Sequence, residues 1–588
     1  MTATAGPAAA PSGIPCPNGA LLHDIIIVGG GPSGLAAAAR LREQNPAAIF
    51  TDEEHRRFHW MRRHGKKMAL KNSKNGRVSV ARGGDAPQQD EQSGYDMVVL
   101  DADYDDWMGR WNHLFDTLEI KHLRSPMFWH CDPNDRDSLL SRAHELGREA
   151  ELVEIKGCVG KEVSKHAKKR RGKYTGSKSD SRIPINERDR NDYFNPTQAL
   201  FSEHCSHVIS RYRLDTGLIH KERVLDISYG PVPGVCSPGG DPTEPLFTVT
   251  TNQGTRHAHI VILAVGPGNR PVIPRIPGTL SMMNLHTPYP QASHAMHLPT
   301  FPPPLLAHRI SSPSQSPQTN PNKNTNILII GGGLTSAQVA DLALRRGVGT
   351  VWHVMRGPLR VKTFDVGLEW MGKFRNVAQA RFWLADGDEE RLGLLREARG
   401  GGGSVTPGYA RVLRGWADRG RVRLFERAEV VEAICSCDGD GDGDGGKEGN
   451  KVRTLPPMDY IFFATGVESD FRTLPYLQTM LASHPIQGHG GFPCLSDDLA
   501  WQDGVPLFVA GRLAALRLGP SAPNLGGARL AAERIAWGVE EVMRSKGRLS
   551  QAGHGHGVHH DGGPRDEGVL GYVTGRGSMF GSLSEVSS

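Results

Sequence analysis

Two stretches decide the fold: "DIIIVGGGPSGLAAAARLRE" at 24–43 and "ILIIGGGLTSAQVADLALRRG" at 327–347. Each has four apolar residues, a run of three glycines, and then a segment of helical periodicity. So short an apolar run, stopped by glycine and followed by a helix, reads as strand, tight turn and helix. The first spacing is Gly29-x-Gly31-x-x-Gly34. Gly29 permits the tight turn, Gly31 lets a pyrophosphate approach the backbone, and Gly34 lets helix pack on strand. Pro32 and Ser33 open the helix, whose free N–H groups and positive dipole end face the phosphates. Some twenty residues on, "AAIFTDEE" offers Asp52 or Glu53 as the acid for a ribose hydroxyl.

The second spacing is Gly331-x-Gly333-x-x-Ser336, with Thr335 beside the serine. Serine in the third glycine position is expected to loosen helix–strand packing slightly and to leave the phosphate cradle intact. The next strand, "TVWHVMRG", ends without an acid. It ends in Arg356, followed by Arg360 and Lys362. Cations in place of the carboxylate favour a 2′-phosphate, hence NADP over NAD.

Each glycine turn has its own returning strand. "HIVILAVG" ends in Ala264-Val265-Gly266, and "MDYIFFATG" ends in Ala464-Thr465-Gly466. Two similar nucleotide units follow, the second set into the first. The expected fold class is α/β, with two Rossmann-like three-layer dinucleotide-binding domains and the NADP domain inserted into the FAD domain. The expected division is a tail at 1–21 and a first FAD-domain part at 22–298 with a long insertion at 95–225. A Pro/Ser-rich linker follows at 299–325, then the NADP domain at 326–470 with a Gly/Asp insert at 437–451. The second FAD-domain part is 471–543, and a tail spans 544–588.

Composition narrows the class. The 588 residues carry a net charge of +6, and 161–182 alone holds nine Lys/Arg against two acids. That basic run, "KKRRGK" included, reads as a solvated loop. It lacks the aromatic interleaving of a nucleic-acid surface, so no nucleic acid is expected. No apolar run is long enough to span a bilayer, and no membrane is expected. The eight cysteines are scattered without a Cys-x-x-Cys, which points to a reducing cytoplasm. "DGDGDGDGG" lacks the twelfth-position glutamate of a calcium loop. His204 and His207 share a helix but have no evident third ligand, so no metal is assigned.

The insertion is aromatic-rich. Arg124 in "HLRSP" is a candidate anion or flavin contact, with an arginine bonding loop carbonyls as the equal alternative. Asn195 and Pro196 read as the start of a helix. Its stripe Phe201, Cys205, Val208 and Tyr212 reads as core.

Two nested units of this kind resemble the two-dinucleotide-binding-domain flavoproteins. "ATG" at 464–466 is similar to that group's turn. "VPLFVAGRLAALRLGPSAPNLGG" at 505–527 is similar to its closing flavin motif, with Gly511-Arg512 where the group has Gly-Asp. No cysteine pair sits where disulfide reductases need one. The chain therefore looks most like the class B flavin monooxygenases, nearest the lysine/ornithine N-hydroxylating enzymes, and it also resembles the oxidative-stress-induced growth inhibitor flavoproteins. The resemblance implies FAD and NADP as cofactors, and a small-molecule substrate and molecular oxygen as partners. It implies oxygenation of a nucleophilic nitrogen through a flavin C4a-hydroperoxide. The alternatives are an NADPH oxidase or dehydrogenase without oxygen insertion, and a non-catalytic FAD-binding regulator. The resemblance assigns cofactor contacts to Gly29, Gly31, Pro32, Ser33, Gly34, Asp52, Glu53, Arg124, Gly266, Gly331, Gly333, Thr335, Ser336, Arg356, Thr465, Gly466, Gly511 and Arg512. It names no catalytic side chain.

Overall fold

The computed structural model describes residues 21–43, 94–156, 190–215, 217–233, 244–266, 270–277, 291–311, 325–371, 375–433 and 453–546, with a few shorter pieces. Asp52, Glu53, the basic run and the Gly/Asp insert lie outside the described residues.

Two sheets organise the chain. The parallel core of the larger runs, in spatial order, Val505–Val509, Gly254–Leu263, Leu21–Val28, Met97–Asp101 and Ile219–Lys221. Antiparallel strands Pro245–Thr251 and Val224–Pro231 extend it as a meander from Gly254–Leu263. Ile25, Ile26 and Ile27 are fully buried. That is why this strand reads as an unbroken apolar run rather than an alternation: helices cover both faces of a parallel sheet.

The smaller sheet is parallel throughout, in the order Ala292–His294, Tyr460–Phe463, Asn326–Ile330, Thr350–Met355 and Val422–Glu426. All its strands fall in sequence between Gly254–Leu263 and Val505–Val509 of the larger sheet. In both sheets a glycine loop leaves a central strand flanked on one side by the next strand of its sheet and on the other by a strand from much later in the chain. Ligands bind open α/β sheets at such a reversal of strand order. Among the described residues, no helix is long and apolar enough to cross a membrane.

Two local expectations change. The segment read as an exposed Pro-rich linker contains the helix Pro304–Ser311, and its Leu306 is fully buried. The helix expected to start at Asn195 is capped instead by Thr197, whose hydroxyl accepts from the Leu200 amide, and it runs Gln198–Arg211. Asn195 donates its side-chain amide to the carbonyls of Arg124 and Ser125. Phe201, Cys205, Val208 and Tyr212 are all buried, as the stripe predicts.

Candidate functional site

The two glycine turns are built alike. Gly29 has φ +112° and Gly331 has φ +145°, values that only glycine adopts freely. A Cβ on Gly29 would stand 2.5 Å from the Ala264 carbonyl oxygen, and on Gly331 it would meet the Ala464 carbonyl in the same way. This explains the paired Ala-x-Gly turns. The alanine amides bond Val28 and Ile330, each at 2.8 Å, and their carbonyls press against the first glycine of the loop. Gly266 and Gly466 then turn the chain away with φ +59° and +81°.

The second glycine differs from its neighbours. A Cβ on Gly31 would meet nothing within 4 Å, so the space before the backbone is open. Gly31 is also the N-cap of helix Pro32–Arg42, with no side chain capping its amides. Gly333 caps Leu334–Arg345 in the same uncapped way. Uncapped N–H groups at a helix start form an anion site. The first loop therefore fits a pyrophosphate; the second has the same helix start, with Gly403 packed against its Gly333.

The third position separates the loops. A Cβ on Gly34 would lie 2.0 Å from the Gly29 carbonyl oxygen, so the first loop admits only glycine there. Ser336 is fully buried and turns its hydroxyl back to the Gly333 carbonyl at 2.7 Å. The serine thus ties its own turn rather than loosening it.

Two residues near the loops escaped the sequence reading. Strand Met97–Asp101 lies beside the strand of the first loop, where the ribose acid belongs, and it ends in Asp101. Its Oδ2 accepts the Gly30 amide at 2.9 Å, and its Oδ1 accepts from Asp103 and Tyr104. Asp101 thus stands against the first loop at Gly30, while Asp52 and Glu53 lie outside the described residues. The signal was an apolar run ending in acid, "MVVLD", but it comes some fifty residues later than spacing leads one to look. In the second unit, buried His353 bonds the Gly331 carbonyl through Nε2 at 2.7 Å. Burial lowers its pKa to about 4, so at neutral pH it is uncharged and Nε2 donates.

The other assigned residues fall as follows. Arg124 donates to the carbonyls of Thr363 and Lys362, to Ser404 and to Asp365. This is the loop-bonding arrangement. It ties the insertion to the smaller sheet's unit. Arg356 is exposed after its strand, while Arg360 and Lys362 turn to the carbonyls of Gly400 and Arg399. Thr465 bonds the Val272 carbonyl, joining the second returning turn to the segment 270–272 that comes after the first.

A cavity of about 270 Å³ is lined by Arg396, Arg399, Gly401, Gly402, Phe492 and Arg512 among others, in segments that adjoin both loops. On one side Gly511 approaches Ser33 of the first loop, with a Cβ there 3.5 Å from the hydroxyl. On the other, the glycine run 400–403 packs on the second loop, and a Cβ on Gly403 would stand 2.7 Å from the Gly333 Cα. Arg512 opens into this space.

Cysteine chemistry is quiet. Cys131 and Cys205 are buried free thiols, and a side-chain hydrogen bond with Cys131 plus burial pushes the Cys205 thiol well above its ordinary value. A raised pKa suppresses the reactive thiolate. Among the described residues no cluster of His, Cys, Asp and Glu is placed to hold a metal ion.

No protein-family model matches the chain, and no curated protein matches it. Solved structures do. The ornithine N-hydroxylase of Kutzneria sp. 744, a complex with reduced FAD, NADP+ and L-ornithine, superposes with a TM-score of 0.52 at 16% identity, covering 88% of this chain and 99% of that one. The reduced ornithine hydroxylase of Pseudomonas aeruginosa gives 0.52 at 17%, covering 89% and 100%. The FAD-bound cadaverine monooxygenase of Erwinia amylovora gives 0.50 at 13%, covering 92% and 100%. At such identities the likeness is one of fold. It falls on the group that the motifs resemble: the chain has the fold of the N-hydroxylating flavin monooxygenases.

Proposed function

We propose that the chain is an FAD- and NADPH-dependent monooxygenase that oxygenates a nucleophilic nitrogen. In this reading the NADP domain is inserted into the FAD domain, at the two crossings where the chain leaves and rejoins the larger sheet. The observation that supports it is the pair of like-built glycine loops, each packed on by a segment (Gly511 at Ser33, Gly403 at Gly333) that continues into the wall of one cavity at Arg512 and at Gly401 and Gly402. Two dinucleotides that must exchange a hydride need such convergence.

The roles of the chain's own groups follow. Gly29, Gly31, Gly34 and the start of helix Pro32–Arg42 hold the FAD pyrophosphate, with Pro32 and Ser33 at its edge. Asp101 would accept from the adenosine ribose of bound FAD. Gly331, Gly333, Thr335 and the start of helix Leu334–Arg345 hold the NADP pyrophosphate, Ser336 braces that turn, and exposed Arg356 meets the 2′-phosphate. Gly266, Thr465 and Gly466 shape the crossings that bring the two units together. When bound, the flavin supplies the redox and oxygen-activating chemistry. The protein orients both dinucleotides and excludes water with the apolar part of the cavity wall.

The test is to purify the protein, measure its flavin content, and follow NADPH oxidation with and without candidate amines while assaying hydroxylamine product. Bound FAD, amine-stimulated oxidation and a hydroxylated amine are expected. A colourless protein that takes up no added FAD would overturn the reading. NADPH consumption that yields only hydrogen peroxide with every amine would reduce it to an oxidase.

A further inference from the structure

The cavity whose wall adjoins both loops is unevenly lined. Arg396, Arg399 and Arg512 line it, and no aspartate or glutamate does. Arg399 is partly engaged: it donates to the Pro520 carbonyl at 3.0 Å and stands 3.8 Å from Asp365. Arg396 and Arg512 have no hydrogen-bond or ion-pair partner among the described residues, and both are exposed to solvent. The rest of the lining includes Leu392, Leu395 and Phe492.

Three guanidinium groups lining one concavity, with no carboxylate among the lining residues, leave it positively charged. Arginine's fork matches an oxyanion in two-point geometry, better than lysine's point charge. The apolar remainder suits a hydrocarbon body. At about 270 Å³ the space lies near the lower end of small-ligand pockets, below the size of a dinucleotide.

Resting on the functional reading above, we propose that Arg396, Arg399 and Arg512 form an oxyanion-binding wall. The substrate admitted there is a small molecule with an apolar body and a carboxylate. The same wall excludes a substrate whose only charges are ammonium groups. This assigns Arg512 to substrate selection rather than to the flavin contact that its motif position suggests. A second source of oxyanion is the dinucleotide's own phosphates. The apolar lining and the small volume favour the carboxylate.

Hexanoate and hexylamine make the test, because they share a chain and differ in the sign of charge. Binding is measured by calorimetry on the FAD-loaded protein at low and at moderate salt. Hexanoate is expected to bind, with affinity falling as salt rises, and hexylamine is expected to give no heat. Arg512→Gln and Arg396→Gln should each weaken hexanoate at least tenfold while keeping the melting temperature. Hexylamine binding as well as hexanoate, or two folded variants with unchanged hexanoate affinity, would overturn the proposal. So would displacement of NADP+ by hexanoate, which would give the arginines to the dinucleotide. Flavin content and NADPH-driven flavin reduction, read on the same samples, separate the two readings. A protein that keeps FAD and is reduced by NADPH yet prefers hexylamine loses this proposal alone. One that binds hexanoate and never holds FAD loses the functional reading alone.

Discussion

At the scale of single residues, the three glycines of the first loop perform separable tasks. Gly34 is required by packing: an added methyl would collide with the Gly29 carbonyl, which is backbone and cannot step aside. Gly31 faces open space at φ −81°, a value any residue adopts. Gly34→Ala is therefore expected to destabilise the folded protein by about 1–3 kcal/mol. Gly31→Ala should leave the apo protein's stability within about 0.5 kcal/mol and still abolish FAD retention. Thermal melts of flavin-free protein and flavin content after gel filtration read the two effects apart. Equal melting losses in both variants would contradict the division. The glycines were legible in sequence because turn chemistry is local. Asp101 and His353 were not, because each earns its place through a neighbouring strand. Strand order cannot be read from spacing when about fifty residues separate the helix of the first loop from the next strand of its sheet.

At the scale of elements, the second strand–turn–helix is a variant in its own right rather than a weaker copy of the first. Ser336 sits in the first turn of helix Leu334–Arg345 and bonds the carbonyl of the N-cap Gly333. Restoring the glycine of the first loop should therefore harm the second. Ser336→Gly loses a buried hydrogen bond and adds helical backbone entropy, about 1–2 kcal/mol together. Its melting temperature should fall and its NADP+ affinity should not rise. A more stable variant, or tighter NADP+ binding, would show that the serine does loosen the turn. The two sheets' strands were readable as apolar runs, since burial on both faces leaves a periodicity-free signature. The helix Pro304–Ser311 was hidden by the prolines before it. Its reason to exist is the buried contact of Leu306, a tertiary fact absent from local sequence. The helix after 195 was found, but its cap was misplaced by two residues, because Asn195 and Thr197 are both good N-caps.

At the scale of the whole molecule, Arg124 and the buried histidines couple distant parts. Arg124 joins the insertion to the smaller sheet's unit through four acceptors. Arg124→Met should lower stability by about 1–3 kcal/mol, leaving those acceptors short of a donor, with FAD content unchanged. Loss of flavin at an unchanged melting temperature would make it a flavin contact instead. The histidines set the response to acid. Burial lowers the pKa of His204, His294 and His353 to about 4 and holds His130 lower than usual. Unfolded histidine titrates near 6.5. Between these values the unfolded chain binds more protons than the folded one, so stability rises with pH across that window. It is fully present above about pH 6.5 and is lost as pH falls toward 4, at up to about 1.4 kcal/mol per pH unit for each histidine. His204 is the informative site, because neither ring nitrogen has a hydrogen-bond partner and it stacks edge-on against His130. His204→Leu removes the titration without removing a bond. Urea midpoints of the native protein should drop steeply from pH 7 to pH 5, and those of His204→Leu should drop less. Parallel slopes would show that His204 does not gain a proton on unfolding, and the acid response would then have to come from the other histidines whose pKa burial lowers, His220, His257 and His297 among them.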